Sequence, residues 1–326
     1  AGKHRLIRAL GRAAEAQRRY EAELADIGRG TLAYGRATGT PVVAVCGSLH
    51  VIHDRAVNAD LPRLLRDNGV LALPMDCFPI PASVHPMPRI FWAEAYRALR
   101  TAVAARERGD VYPLLLSSFG CGPASFSEQI FSELMEGYPH TALETDAHGG
   151  TAGYVTRVQA FLYGVREHDR KPFPVPPDRL RLLEELPRES LADAKSSRLV
   201  MVALADRLSP IRAAVQRSFG FDVVAAGPSS AEAIALGRRD CSGKECMPYQ
   251  VLWGTFRKLL EESPSEKRTV LLQGTGEGMC RFCVYSIKDQ ISLRRLGYGD
   301  KVVVRHDAPM GMGDQPRLAF EKAFGG

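Results

Sequence analysis

The chain has 326 residues, 45% of them hydrophobic and 25% charged, as in an ordinary soluble globular protein with room for two domains. No apolar run reaches the length of about 18 residues that a membrane helix needs, and the basic start lacks a signal peptide's apolar core. We therefore expect a cytoplasmic protein without a membrane partner. The formal charge is +6, and residues 1–29 hold seven Lys/Arg against four Asp/Glu. Their interleaving at helical spacing favours a solvated helix face over a nucleic-acid site.

The first half of the chain predicts a helical segment followed by an α/β domain. Residues 1–36 form the helical segment, with apolar helical spacing over residues 4–28. Residues 37–166 form the first α/β domain. Its predicted elements, in chain order, are strand "PVVAV", a helix in "NADLPRLLRDNG", strand "VLALP", a helix over residues 90–108, strand "VYPLLLSS", helix "ASFSEQIFSELM", strand "HTALET" and helix "TAGYVTRVQAFLYG".

A proline-rich linker, residues 167–197, separates this domain from a second one, residues 198–326. Five prolines between residues 172 and 187 disfavour a compact helix or a central strand there. The second domain repeats the order of the first: strand "RLVMVAL", helix "SPIRAAVQRSFG", strand "FDVVAA", helix "YQVLWGTFRKLLEE", strand "RTVLLQG", helix "SIKDQISLRRLG" and strand "KVVVR". Alternating strands and helices predict βαβ units, so we expect an α/β protein with two Rossmann-like domains and mostly parallel sheets.

The cysteines are the most informative residues for function. There are seven, and in a chain without an export signal they indicate metal or redox chemistry rather than a disulfide scaffold. Cys121 in "FGCGP" and Cys280 in "GTGEGMC" occupy the same position of the two domains, after the third strand and before a helix. Ligands bind at the carboxyl ends of parallel strands, and helix N-termini there suit anions. We therefore expect both cysteines to face one cleft.

The sequence "LLQGTGEGMCRFC" leaves several ligands open. It matches neither GxxxxGK[ST] nor GxGxxG, which disfavours a nucleotide. Cys280 and Cys283 have the CxxC spacing of a redox dithiol. Together with Cys241 and Cys246 they offer four zinc ligands, although the pairs are farther apart than in zinc ribbons. An iron–sulfur cluster, which needs thiolates from separate glycine-rich loops, accounts best for "FGCGP", "SGKECMPY" and "GEGMCRFC".

Five segments in this order resemble a known family. They read "NADLPRLLRDNGVLALPMD", "SSFGCGPASF", "ALETDAHGGTAGYVTRVQAFL", "GKECMPYQVLWG" and "CRFCVYSIKDQ". The chain resembles the C-terminal iron–sulfur part of acyl-CoA dehydratase activase-related proteins, in the 2-hydroxyacyl-CoA dehydratase and benzoyl-CoA reductase superfamily. The resemblance implies a [4Fe-4S] cluster, alone or as part of a double-cubane cluster, with Cys121, Cys246 and Cys280 as ligands and one open iron. Family members tend to have glycine where Cys283 stands, so Cys283 is expected to be an accessory ligand only.

The resemblance also implies a function. The chain would be an electron-transfer or reductase component, reduced at low potential by a separate ATP-hydrolysing activase, and would form a homodimer or pair with a related subunit. Glu245 and Glu277 adjoin cluster cysteines and are candidate proton donors, although pairing with Lys244 or Arg281 is the simpler expectation. The alternative function is a zinc-stabilised, non-catalytic scaffold or assembly subunit. Neither the substrate nor a catalytic residue is predicted.

Overall fold

The computed structural model describes residues 2–118, 120–145, 151–201, 208–274 and 278–307. The protein is α/β, with a long N-terminal helix and two parallel four-stranded sheets, as predicted. The chain divides into two compact units. The first comprises Ala1–Met87 with Trp92–Arg181, and the second Pro88–Phe91 with Leu182–Gly326. The division at Arg181 lies inside the proline-rich segment.

The first unit has the strand order β2-β1-β3-β4, with every pair parallel. The strands are β1 (Val42–Gly47), β2 (Leu71–Pro74), β3 (Val111–Ser118) and β4 (Thr141–Thr145). The helices are α1 (Gly2–Thr38), α2 (Leu49–Ile52), α3 (Leu61–Asp67), α4 (Ala93–Arg108), α5 (Gly122–Met135), α6 (Thr151–Glu167) and α7 (Pro177–Leu180). Every residue of β1 is buried, which explains why its apolar residues form a continuous run instead of alternating with polar ones.

The second unit has the equivalent order, β6-β5-β7-β8, and is also parallel throughout. The strands are β5 (Arg198–Met201), β6 (Asp222–Ala225), β7 (Thr269–Gln273) and β8 (Val302–His306). The helices are α8 (Leu191–Ser196), α9 (Leu208–Ser218), α10 (Ala231–Arg239), α11 (Met247–Glu262) and α12 (Phe282–Arg295). Leu199, Met201, Val270 and Leu272 are among the buried residues of its core.

This strand order determines where a ligand can bind. The first and third strands of each unit are neighbours, with the second and fourth strands on their outer sides. Connections that leave two neighbouring strands toward opposite sides open a crevice at their carboxyl ends, which is the usual ligand site of open parallel sheets. Helices α5 and α12 follow β3 and β7 and therefore begin at this edge of their sheets.

The structure differs from the predicted elements mainly in short helices. The proline-rich segment is not devoid of helix: α7 begins at Pro177, because proline at the first helical position lacks an N–H that would have no partner there anyway. Helix α8 lies in the same segment, and Ser190 caps it by accepting a hydrogen bond from the Asp193 N–H at 3.0 Å. Helices α2 and α10 were not predicted either. The end of "RLVMVAL" and residues 308–326 lie outside the described residues.

Two further differences concern segments that are fastened to a unit by particular residues. The N-terminal helix continues past residue 28 to Thr38, since Gly28, Leu32 and Gly35 are buried. The segment Pro88–Phe91 belongs to the second unit, where the buried Arg89 guanidinium donates hydrogen bonds to the Leu182 carbonyl, at 3.0 Å, and to the Ser286 hydroxyl. Among the described residues, no helix combines the length and the apolar character needed to cross a bilayer.

Candidate functional site

The three predicted ligand cysteines all stand at the beginning of a helix. Cys121 is the N-cap residue of α5 and Cys246 that of α11, and neither uses its side chain to cap the helix. Cys280 directly precedes Arg281, the N-cap residue of α12. Each of the three therefore lies at the N-terminal end of a helix, where the positive end of the helix dipole can attract an anionic ligand.

The cysteines are divided between the two units. Cys121 belongs to the first unit, and Cys246 and Cys280 belong to the second. Within the second unit, the Tyr285 hydroxyl lies 2.7 Å from the Cys246 sulfur. Cys246 therefore contacts the first turn of α12, the helix that Cys280 precedes.

Tyr285 was not singled out from the sequence. It lies in the first turn of α12, is 3% exposed, and contacts the rings of Tyr249 and Phe282 edge to face at centroid distances of 5.0 and 5.4 Å. Burial raises the pKa of Tyr285, and the hydrogen bond and charge of Cys246 raise it further. The phenol therefore keeps its proton at neutral pH and can donate a hydrogen bond to sulfur.

Cys280 and Cys283 have different surroundings despite their CxxC spacing. Cys280 is exposed, and its carbonyl accepts a hydrogen bond from the Cys283 N–H at 3.2 Å. Cys283 lies in the first turn of α12, which begins earlier than the predicted helix "SIKDQISLRRLG", but it is only 4% exposed and its thiol donates to the Gly278 carbonyl at 3.4 Å. Cys280 is thus accessible to a ligand from outside, whereas the Cys283 thiol is engaged by its own loop.

Three other cysteines have environments that disfavour thiolate. Burial raises the pKa of Cys46, in β1, to about 12. Burial also raises the pKa of Cys77, and burial together with the Glu245 charge raises that of Cys241 to about 12. Buried thiols of this kind behave as small hydrophobic side chains.

A buried ion pair supports the segment that leads to Cys246. The Lys288 ammonium lies 3.6 Å from the Glu245 carboxylate, with side-chain exposures of 3% and 0%. Glu245 also accepts hydrogen bonds from the Ser242 N–H, at 2.9 Å, and hydroxyl, at 2.8 Å. Glu245 thus has a partner that the sequence analysis did not name, a lysine two turns into α12. Glu277, the other candidate proton donor, lies outside the described residues.

Asp240 links the beginning of the same segment to α11. Its carboxylate accepts hydrogen bonds from the Trp253 indole N–H and the Arg257 guanidinium, each at 2.9 Å, and its carbonyl lies 3.5 Å from the Lys288 ammonium. Arg257 also donates to the Tyr298 hydroxyl at 2.9 Å. These contacts hold residues 240–246 against α11 and α12 and thereby position Cys246.

A second ionisable residue of α12, Asp289, is also buried. It is 1% exposed, and it accepts a hydrogen bond from the Gln273 side chain at 3.0 Å. Burial raises the pKa of Asp289 to about 7. Sequence reasoning missed Lys288 and Asp289 because adjacent charged residues in a predicted helix normally face solvent. One feature of the sequence could have indicated their burial: both lie in "SIKDQIS", within the helix that follows the carboxyl end of a predicted strand.

The residues fit an iron–sulfur cluster by the chemistry of the donor set: two cysteines at helix N-termini beside a phenol that stays protonated. The set is incomplete as it stands. Within the described ranges, no group of three Cys, His, Asp or Glu side chains that could hold a metal ion is present, and this includes the four cysteines of the zinc alternative.

No family model, no curated protein and no solved structure matches the chain.

Proposed function

We propose that the chain is an iron–sulfur electron-transfer or reductase component of the 2-hydroxyacyl-CoA dehydratase type. Its cofactor would be a [4Fe-4S] cluster, alone or as part of a double-cubane cluster, with Cys121, Cys246 and Cys280 as ligands. The observation that carries the proposal is the contact between the Cys246 sulfur and the buried Tyr285 phenol, which lies in the first turn of the helix that Cys280 precedes. The resemblance of five sequence segments to that superfamily supports it.

Each residue of the second-unit site has a role in this proposal. When bound, a [4Fe-4S] cluster supplies one-electron transfer at low potential. Cys246 and Cys280 provide thiolates whose negative charge is stabilised by the N-terminal N–H groups of α11 and α12. Tyr285 donates a hydrogen bond to the Cys246 sulfur, and the Glu245–Lys288 pair holds the segment in front of Cys246. Cys283 is an accessory ligand at most, because its thiol already has a partner in Gly278.

The proposal includes two kinds of partner in the cytoplasm. A separate activase hydrolyses ATP and delivers the electron, since this sequence contains no phosphate-binding motif. A second subunit, either another copy of the chain or a related one, completes the assembly. The electron then passes to a substrate or to that subunit.

The test is purification without oxygen, followed by iron, sulfide and zinc analysis and electron paramagnetic resonance of the dithionite-reduced protein. We expect brown protein with matching amounts of iron and sulfide and a paramagnetic signal on reduction. Cys246→Ser should lose most of the iron, whereas Cys46→Ala, a change of a buried thiol in β1, should retain it. A colourless protein with stoichiometric zinc would refute the proposal and support the zinc-stabilised scaffold.

A further inference from the structure

The first two thirds of α1 present apolar residues that the described part of the chain does not cover. The helix runs from Gly2 to Thr38, and all residues from 2 to 23 are exposed. At about 1.5 Å per residue this part of the helix is about 33 Å long. Helices without tertiary packing are marginally stable in water, so an exposed helix of this length is expected to be covered by a partner.

The last third of α1 shows how the helix is held by its own unit. Gly28, Leu32 and Gly35 are its buried residues. A Cβ atom at Gly28 would lie 1.8 Å from the Cys77 carbonyl oxygen, and one at Gly35 would lie 2.6 Å from a Val42 methyl group. Only glycine permits this close approach at Gly28. The helix is therefore fastened at its C-terminal end, whereas Leu6, Leu10 and Tyr20, nearer its N-terminus, remain exposed.

The exposed apolar residues of α1 have the spacing of a coiled coil. Steps of four and three residues alternate along it through Leu6, Leu10, Ala13, Gln17, Tyr20, Leu24, Ile27, Thr31 and Tyr34. Leu6 is 60% exposed, Leu10 61% and Tyr20 55%, although they are the residues that such a seam would bury. A heptad of this kind indicates a helix that packs against another helix.

We propose that this seam, Leu6 to Ile27, pairs with the same seam of a second copy of the chain in an antiparallel coiled coil. The charge distribution along α1 indicates that the partner is a second copy of the chain and that the two helices run antiparallel. Residues 2–12 contain four Lys/Arg and no Asp/Glu, a charge of +4, whereas residues 15–26 contain four Asp/Glu and two Arg, a charge of 2 − 4 = −2. A parallel pair places the two basic ends together, and an antiparallel pair places each basic end on an acidic segment.

The sequence is also self-complementary in register. When the chains run in opposite directions with residue numbers that sum to 30, the seam residues from Leu6 to Leu24 face one another, and Ile27 faces Lys3 of the second copy. Leu6 then faces Leu24 of the second copy, and Leu10 faces its Tyr20. Gln17, the polar residue of the seam, faces the small side chain of Ala13, and one polar position in an apolar seam favours a single register.

Sedimentation of the whole protein tests the seam, with two substitutions of the same helix. Wild-type protein should sediment as a dimer of 35.7 kDa chains. Leu10→Glu places a carboxylate within the seam, and we expect it to raise the dimer dissociation constant by at least about 100-fold. Ala22→Glu adds the same charge to an exposed position on the opposite side of the helix and should leave the dimer intact. A monomeric wild type, or a Leu10→Glu variant that dimerises like wild type, overturns the proposal.

Cross-linking tests the direction of the two helices. A mixture of Leu10→Cys and Tyr20→Cys proteins should form a disulfide-linked dimer on mild oxidation, above the background from the native cysteines of wild-type protein. Self-linking of Leu10→Cys alone, as efficient as linking in the mixture, would show a parallel pair and overturn the antiparallel one. The inference does not rest on the iron–sulfur assignment, so iron content measured on the same samples reports separately on the proposed function.

Discussion

The two units have the same strand order but differ in the helix that follows the third strand. Helix α5 directs mainly apolar side chains inward, among them Phe126, Ile130 and Phe131. Helix α12, in the equivalent place, directs Tyr285, Lys288 and Asp289 inward. Both helices begin beside a cysteine, and α12 also carries a buried phenol that contacts Cys246 and a buried lysine that pairs with Glu245.

Two features of each unit contribute to a site: the topology of the sheet and the inward face of the helix that follows the third strand. The repeated topology places a thiol at the carboxyl edge of each sheet, and it does so without regard to the side chains of the following helix. The inward face of that helix then determines the electrostatic environment of the thiol. Under the proposed function, Cys121 would be the first unit's contribution to the cluster, and the second unit would supply Cys246, Cys280 and the groups around them.

The largest expected effect concerns whether both units contribute a ligand. Cys121→Ser and Cys280→Ser should each lower the iron content at least about tenfold, since each removes a thiolate of the proposed cluster. Cys283→Ser should retain the iron, because the Cys283 thiol is bonded to the Gly278 carbonyl. Iron and sulfide analysis of anaerobically purified variants measures all three. Full iron in Cys121→Ser would remove the first unit from the cluster, and equal loss in Cys283→Ser would indicate four-thiolate ligation.

The next effect concerns the buried ion pair between Lys288 of α12 and Glu245. Lys288→Met leaves the fully buried Glu245 carboxylate without its cation, and we expect a loss of about 3–5 kcal/mol in the free energy of unfolding. Lys258→Met, on α11, should cost much less, since its partner Glu232 is 76% exposed and the pair is screened by water. Guanidinium denaturation of the two variants measures the difference. Equal losses would show that the buried pair has no special role.

The fold could be predicted from the sequence further than the site could. β-branched and leucine-rich runs such as "PVVAV" and "VYPLLLSS" are buried on both faces of a parallel sheet, so local composition indicates them directly. The cysteines at helix starts could be placed as well, because the predicted strands and helices on either side of them follow from local composition. The partners of Glu245 could not, because Lys288 is 43 residues away and local sequence gives no information about which charges are buried together.

Asp289, another buried residue of α12, is expected to make the stability of the protein depend on pH. The pKa of Asp289 is raised to about 7 in the folded protein, above the value of about 3.9 expected for an unfolded aspartate. Between these two values the folded state holds a proton that the unfolded state has lost. Asp289 therefore makes the free energy of unfolding fall as the pH rises from about 4 to about 7, by up to about 1.4 kcal/mol per pH unit.

Asp289→Asn should flatten this decline, since the amide does not titrate in that range. Guanidinium denaturation at several pH values between 4 and 8 measures the slope. Asp300→Asn, a change of an exposed aspartate in the same unit, should leave the wild-type slope unchanged. A variant Asp289→Asn with the full wild-type slope would assign the decline to other groups.

The smallest effect is expected from the phenol beside Cys246. Tyr285→Phe keeps the ring and its contacts with Tyr249 and Phe282 but removes the hydroxyl that lies 2.7 Å from the Cys246 sulfur. A hydrogen bond to sulfur stabilises the more negative, reduced cluster more than the oxidised one, so its loss should lower the reduction potential. If the two states differ by about 1.4 kcal/mol in this hydrogen bond, the decrease is about 60 mV for one electron.

The measurement is a redox titration followed by electron paramagnetic resonance, with Tyr298→Phe as the matched control, because the Tyr298 hydroxyl accepts from Arg257 instead. Iron content should stay at the wild-type level in both variants. Loss of iron in Tyr285→Phe alone would make the phenol necessary for binding the cluster, and an unchanged potential would mean that it does not act on the cluster's sulfur.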